Sequence, residues 1–514
     1  MRHRYTIVLI VLHLLSSLSL LAQERSSTGW LWWRSDSLIY QTTESSGISS
    51  LLALQQALLP SSIAFDLSGG SFTPVHQPAI PRSGSNWSLK ANGGYRYGNL
   101  SLRGEVQYGR GFNRKLSHAL TSDPELFYPY LVSDTIPKNH TSEIYSFGFH
   151  ASYRPLNWLS VGVQAGYRGE VRYSRQDPRV HNTISTPYGG LSLTFAPKEW
   201  GYLSLSGIYY SYKQHLHFNV LKDTSTEQIY ILRPFGMFNH RYSGRESNGD
   251  YRYLRPNYRV DLNWLLPKQE LQVGIKYQAS QSRLHTTKAG VYYNELNTQE
   301  ITPYLYTKVL GWRAHHNLSL RADYTYDPRR DLERSYQTVR VGPKGVLTQQ
   351  ELIAEIPSYR ETWHKWQGAL IYKYQSKRFK TEAEVAYGGF TLITKSLRDE
   401  NSGQYGVHYI APKLIFSWLG NGNRAIYGSV NIASHHQLHV TNHTTLNHEQ
   451  KTKVIEESIR SYQLGAKHKI TIASDLYLPL RGDKALGLSL QVTPSIWAEQ
   501  QMILYSSGTL SYIF

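Results

Sequence analysis

The chain has 514 residues, 40% of them hydrophobic and 18% charged, with 40 Tyr, 39 Gly, 21 Pro and no Cys; Lys plus Arg exceed Asp plus Glu by 55 to 37. The absence of Cys excludes a disulfide scaffold, a thiolate zinc site, a cysteine nucleophile and a lipoprotein anchor. A mean hydropathy of −0.44 excludes a bundle of membrane helices, and the shortage of charge against Ser, Thr, Asn, Gln, Tyr and Gly favours strands and turns.

Residues 1–22 read as a secretory signal peptide. Arg2 and Arg4 form a positive head, Tyr5–Leu15 an apolar core, and Ala22 precedes Gln23 at the exit. The apolar stretch is broken by Ser16, Ser17 and Ser19 and is too short to span a bilayer. Residues 23–86 form an amino-terminal leader. Within Gly47–Leu59 the residues Ile48, Leu51, Leu52, Leu54 and Leu58 have partial helical spacing, which suggests a short helix or plug. Ser61–Phe72 is a candidate opening strand.

From Trp87 to Phe514 the chain alternates. In Trp158–Tyr173, Leu159, Val161, Val163, Ala165, Tyr167 and Val171 share one face, and Ser160, Gly162, Gln164, Gly166, Arg168 and Arg172 the other. A period of two marks strands that stand between two different environments. The runs are longer than the roughly 5–6 residues of soluble strands and match the ~9–11 of a tilted membrane strand. Gly98-Asn99, Arg154–Asn157, Ala196–Glu199, Pro267–Gln269, Asp327–Asp331, Gln375–Arg378, Gly420–Asn423 and Pro479–Lys484 read as short turns. Gly111–Thr141, Gln214–Pro256, Gln281–Gly311, Pro343–Thr362 and Ser434–Arg460 read as long loops. Short turns alternating with long loops are the habit of outer-membrane barrels. The expected fold is therefore all-β: a transmembrane antiparallel up-and-down barrel with an even number of strands between 14 and 18, short periplasmic turns and long external loops. Tyr residues at strand ends suit the headgroup level.

The chain ends Thr509-Leu510-Ser511-Tyr512-Ile513-Phe514, with Leu510, Tyr512 and Phe514 on one face. This ending resembles the carboxyl-terminal β-signal of bacterial outer-membrane proteins, which implies recognition of Leu510, Tyr512 and Phe514 by the barrel-assembly machinery through strand addition. With Leu-Ala-Gln at the cleavage point and Arg154-Pro155-Leu156-Asn157-Trp158 as a turn, the layout is similar to uncharacterised Bacteroidota-type outer-membrane barrels. That resemblance implies residence in the outer membrane among lipopolysaccharide and a channel or substrate-specific transporter for small solutes. The alternative is a non-transporting anchor or accessory subunit of an uptake or secretion complex. A TonB-dependent receptor fits less well, because only Gln23–Asn86 precedes the barrel where such receptors carry a larger plug.

No enzymatic site is expected. Ser and His are abundant, but no Gly-x-Ser-x-Gly and no triad spacing select a nucleophile, and nothing in the sequence calls for a cofactor. His435, His436 and His439, with His443 and His448, crowd one expected external loop and are weak metal candidates, since no carboxylate or spacing fixes a geometry. Nucleic acid is not an expected partner, because the basic residues form no compact patch. Arg168, Arg172, Lys380, Lys467 and Lys469 sit on polar strand faces, so the basic excess suggests an anion-biased lumen or contact with lipopolysaccharide phosphates. Arg481-Gly482-Asp483 serves a turn.

Overall fold

In a computed structural model of the chain, alternation is converted into a closed wall. The structure describes residues 62–72, 83–116, 120–134, 136–197, 200–221, 229–232, 248–266, 270–286, 291–312, 315–341, 347–376, 378–397, 400–420, 426–445, 467–480, 485–496 and 502–513. The expected signal peptide, most of the leader with the short helix or plug expected within Gly47–Leu59, and Phe514 lie outside the described residues. In chain order the strands are β1 (Ser62–Phe72), β2 (Ser83–Tyr97), β3 (Leu100–Leu116), β4 (Val132–Asp134), β5 (Lys138–Leu156), β6 (Leu159–Tyr173) and β7 (Arg179–Phe195). They continue as β8 (Tyr202–Asn219), β9 (Ile229–Ile231), β10 (Asn248–Leu266), β11 (Leu271–Thr286), β12 (Val291–Trp312), β13 (His316–Val341) and β14 (Leu347–Gln375). The last are β15 (Phe379–Ser396), β16 (Ser402–Leu419), β17 (Tyr427–Thr445), β18 (His468–Pro479), β19 (Ala485–Ile496) and β20 (Met502–Ile513).

All but β4 and β9 form one 18-stranded antiparallel sheet in which each strand pairs with its sequence neighbours. The seam is β1 against β20, running from Ala64 opposite Ile513 to Phe72 opposite Tyr505. Closure leaves no edge, so the wall can satisfy its backbone groups without water. The strand count lies at the top of the expected even range, and the opening strand Ser62–Phe72 falls inside the stretch assigned to the leader.

The usual inside-out order of a soluble protein is inverted. Apolar side chains such as Val161, Val163, Leu191, Leu205, Leu262 and Leu370 are exposed on the outer face. Ser160, Gln164, Ser192, Ser206, Asp261 and Asn263 are buried on the inner one. Val163 is 41% exposed and its neighbour Gln164 5%, so the outward face is the one that must meet lipid. Aromatics mark both rims of this band. Trp158 and Phe195 stack at 6.1 Å near the short turns. Tyr108 stands 5.3 Å from Trp87 and 4.9 Å from Tyr145 toward the other rim. The protein is an outer-membrane β-barrel.

Three expectations about connectors need correction. Asp327–Asp331 is not a turn; it lies inside β13, and the reversal occurs between Trp312 and His316. The turn signal of Asp327-Pro328-Arg329-Arg330-Asp331 is overridden because Asp327 and Arg329 pair on the lumen face, where Arg329 also reaches Glu361 at 3.4 Å. Gln281–Gly311 and Pro343–Thr362 are not long loops either. Most of both belongs to strands, and β14 runs for 29 residues, well over the ~9–11 a crossing needs. Charged strand beyond the membrane reads as loop because neither face has to be apolar there.

Candidate lumen gate

An 18-stranded wall is wide enough to enclose an aqueous channel. Here a segment from the β3–β5 connection folds into it. After Asp123 at φ 47, Pro124–Leu126 makes one 3-10 turn, and the chain continues through Phe127–Leu131 into β4. β4 pairs antiparallel with β9, which comes from the β8–β10 connection, Val132 lying opposite Ile231. Leu232 N–H donates to the Leu131 carbonyl at 2.8 Å. Two connections thus share a small sheet within the mouth.

One side of this segment is anchored by apolar packing. Leu120, Phe127, Leu131 and Val132 share a buried core with wall residues of β7, β8, β10 and β11, including Ile184, Leu216, Tyr253 and Leu284. Phe127 lies 4.6 Å from the Tyr253 ring and 5.3 Å from Tyr212. The fully buried Tyr253 hydroxyl accepts the Val132 N–H and shares a proton with Thr121 Oγ1, both at 2.8 Å. Asn182 Nδ2 donates to the Leu120 carbonyl at 2.6 Å. Each fully buried large apolar side chain is worth roughly 1.5–3 kcal/mol, so this anchor holds firmly.

Farther round the ring, at β13 and β14, the segment is held by polar groups. The Tyr130 hydroxyl meets Ser358 Oγ of β14 at 2.7 Å, and Ser358 Oγ donates to Asp331 of β13. The register of β14 on β13 slips between Asp331 and Leu332, so Ser358 is the extra residue of a bulge, which turns it toward the segment. Burial, with Asp331 beside it, pushes the Tyr130 hydroxyl well above its ordinary value, so it stays protonated. Because β13 and β14 stand about halfway round the ring from β3 and β5, the segment crosses the lumen. A third contact is ionic: Arg168 of β6 reaches Asp123 at 3.3 Å. At the segment's return, Asp134 pairs with Lys138, both buried, and Lys138 Nζ also donates to the Pro178 carbonyl at 3.0 Å. Burial pushes the Asp134 carboxyl up to about 6 even with Lys138 beside it.

The wall around this segment is polar and largely charge-paired. Lys90 meets Glu105 at 2.8 Å, Lys373 meets Glu382 at 3.6 Å, and Arg321 is bound to Glu384. The expectation of a basic lumen from Arg168 and Arg172 is corrected in this respect. Arg168 pairs with Asp123 and Glu170, and the buried Arg172 sits in the field of Glu170 and Asp123. Lys380 is buried on the same face, while Lys467 and Lys469 are exposed near the rim.

The other candidates do not form a centre. His435, His436 and His439 lie on β17 rather than in a loop. His435 stacks on Tyr409 at 4.6 Å, His436 Nδ1 meets His468 Nδ1 at 3.1 Å, and His439 lies 6.4 Å from His408. As successive strand residues, His435 and His436 face opposite sides. Among the described residues no three His, Cys, Asp or Glu side chains gather as a metal site. Leu510 and Tyr512 lie on β20 beside the seam, opposite Leu67 and Phe65 of β1. Phe127, Tyr130, Tyr253, Asp331 and Ser358 were not singled out by sequence as parts of a site. Their only signal is the aromatic run Phe127-Tyr128-Pro129-Tyr130 inside an expected loop.

The chain matches the model of a family of unknown function, DUF6850, over residues 54–509, and it belongs to that family. No curated protein matches it significantly. Similar solved structures include the ferric preacinetobactin receptor BauA from Acinetobacter baumannii, at 8% identity and a TM-score of 0.40, with 88% of this chain and 79% of that one covered. The ferric-catecholate import receptor Fiu from E. coli is 8% identical at a TM-score of 0.39, with 88% and 81% covered. The copper transporter OprC is 10% identical at a TM-score of 0.37, with 88% and 80% covered.

Proposed function

We propose that this DUF6850 member is a gated outer-membrane transporter for small solutes, with residues 120–134 as a lid over the lumen. The end bearing Ser62, Ile513 and the short turns is the periplasmic one. The observation that carries the reading is the lid's asymmetry. One side rests on an apolar core, and the far side on hydrogen bonds through Tyr130. An element held this way swings about its apolar side when the polar latch is released. A permanent plug has no need of a weak side.

Tyr130→Phe tests the latch. A single hydrogen bond contributes about 0.5–1.5 kcal/mol net, and about 1.4 kcal/mol is tenfold in an equilibrium. In planar-bilayer recordings the variant is expected to show open events up to about tenfold more often than the parent, with unchanged unitary current. Equal opening frequency in the two proteins removes the latch from the account.

The second reading, a non-transporting accessory barrel, is favoured by one observation: the lumen mouth is occupied and its charges are paired. It requires a protein that stays silent even without its lid and that co-purifies with a partner.

A further inference from the structure

The outward face of β13–β15 carries a row of like charges in direct register. Arg330 of β13 stands opposite Arg360 of β14, and Arg360 stands opposite Lys395 of β15. All three are exposed. Among the described residues none of their side chains has a hydrogen bond or ion pair. The carboxylates adjacent to the two arginines in sequence, Asp331 and Glu361, are buried on the lumen face. Like charges placed directly opposite one another destabilise a sheet. A row of three with no counter-charge among the described residues asks for an anion from outside the chain.

The position of the row says which anion. Four residues toward the membrane along the same two strands stand Tyr326 and His364, their rings 5.2 Å apart. The exposed Tyr387 on β15 continues this aromatic rim, and the exposed Leu370 and Val385 of the apolar band follow below it. At ~3.3 Å per residue and a tilt near 45°, the row lies about 10 Å beyond the aromatic rim. That is headgroup height. A barrel's outer face is convex, so it offers a small free ion no enclosure, whereas a lipid is already held there by its tails. A phosphomonoester supplies roughly −1.5 to −2 charges and three acceptor oxygens, which suits a fork of guanidinium groups.

We propose that Arg330, Arg360 and Lys395 form a docking surface for a phosphorylated outer-leaflet lipid, whose phosphate bridges the row while its apolar part lies along the rim beneath. The proposal rests on the outer-membrane location and is independent of whether the lumen conducts, so a silent pore leaves it standing.

The test uses the full-length protein in detergent and reads two quantities. One is lipid retained in native mass spectrometry, and the other is the temperature of the heat-modifiable gel shift. The probes are phosphorylated lipid A, dephosphorylated lipid A and inorganic phosphate. The variants are the triple change Arg330→Gln, Arg360→Gln and Lys395→Gln, the single Arg360→Gln, and Lys365→Gln on the lumen face of β14 as a control. Phosphorylated lipid A is expected to bind and stabilise the parent and the control. Binding is expected to fall at least about tenfold in the triple variant and by less in Arg360→Gln. Without lipid, both row variants are expected to resist heat better than the parent, because the repulsion is gone. If the triple change abolishes folding, the single variant decides. Equal retention of phosphorylated lipid A by parent and row variants would overturn the proposal. So would equal binding of the dephosphorylated lipid, or equal stabilisation by inorganic phosphate alone.

Discussion

Replacing residues 120–134 by a short Gly-Ser link is expected to turn a largely silent protein into a continuously conducting one. In the intact protein the lid's apolar side shares one core with four wall strands, and its far side closes on Ser358. A minor open state of such a two-state element is populated at roughly 0.1–10%. Removing the lid removes the closed state itself, so open occupancy in bilayer recordings should approach one. The wall does not depend on the lid. Every strand of the ring pairs with both neighbours, so the deletion variant should retain the heat-modifiable gel shift of a folded barrel. A folded variant that remains silent would favour the accessory-barrel reading. The apolar wall patch exposed by the deletion, with Ile184, Leu216 and Tyr253, should then face water and lower the unfolding temperature somewhat.

A second large effect is expected from pH. The Asp134 carboxyl, raised from 3.8 to about 6 chiefly by burial, prefers to be neutral when the lid is docked. The difference corresponds to roughly 3 kcal/mol at most. Its sign follows from the raised value: the docking contribution is fully present below about pH 4 and is lost as pH rises through 6. Opening should therefore become more frequent from pH 4 to pH 7, by up to about a hundredfold. Asp134→Asn alone removes the titrating carboxyl but keeps the buried Lys138, whose own charge is also disfavoured by burial. The paired change Asp134→Asn with Lys138→Met removes both charges and should flatten the profile. Opening that falls as pH rises, or a profile unchanged by the paired change, contradicts the assignment to Asp134.

What could be read from the sequence follows from where two environments differ. Trp158–Tyr173 alternates because lipid lies on one side and packed polar groups on the other, and all but its first residue is β6. The opening strand was legible at Ser61–Phe72 because parity demanded it and Leu67 carries the pattern. Beyond the membrane the two faces become alike, so Pro343–Thr362 lost its period although it remains strand in β14. Asp327–Asp331 shows the reverse failure. Its turn chemistry is genuine locally, but an ion-paired lumen face outweighs it. The lid was hidden for a different reason. Tyr130 and Ser358 are 228 residues apart, and the bulge that turns Ser358 inward leaves no mark in composition. The histidines were expected in a loop, and His435, His436 and His439 instead lie along one strand, distributed over its two faces.

The most direct measurement exploits the cysteine-free chain. With Tyr130→Cys and Ser358→Cys as its only thiols, the purified protein can be joined across the latch by a reducible bis-maleimide and assayed for solute flux in liposomes. Flux should stop in the cross-linked protein and return when the linker is cleaved, while either single-cysteine variant treated alike is unaffected. Flux that continues through the cross-linked protein would show that solutes do not need the lid to move, and would contradict the gate.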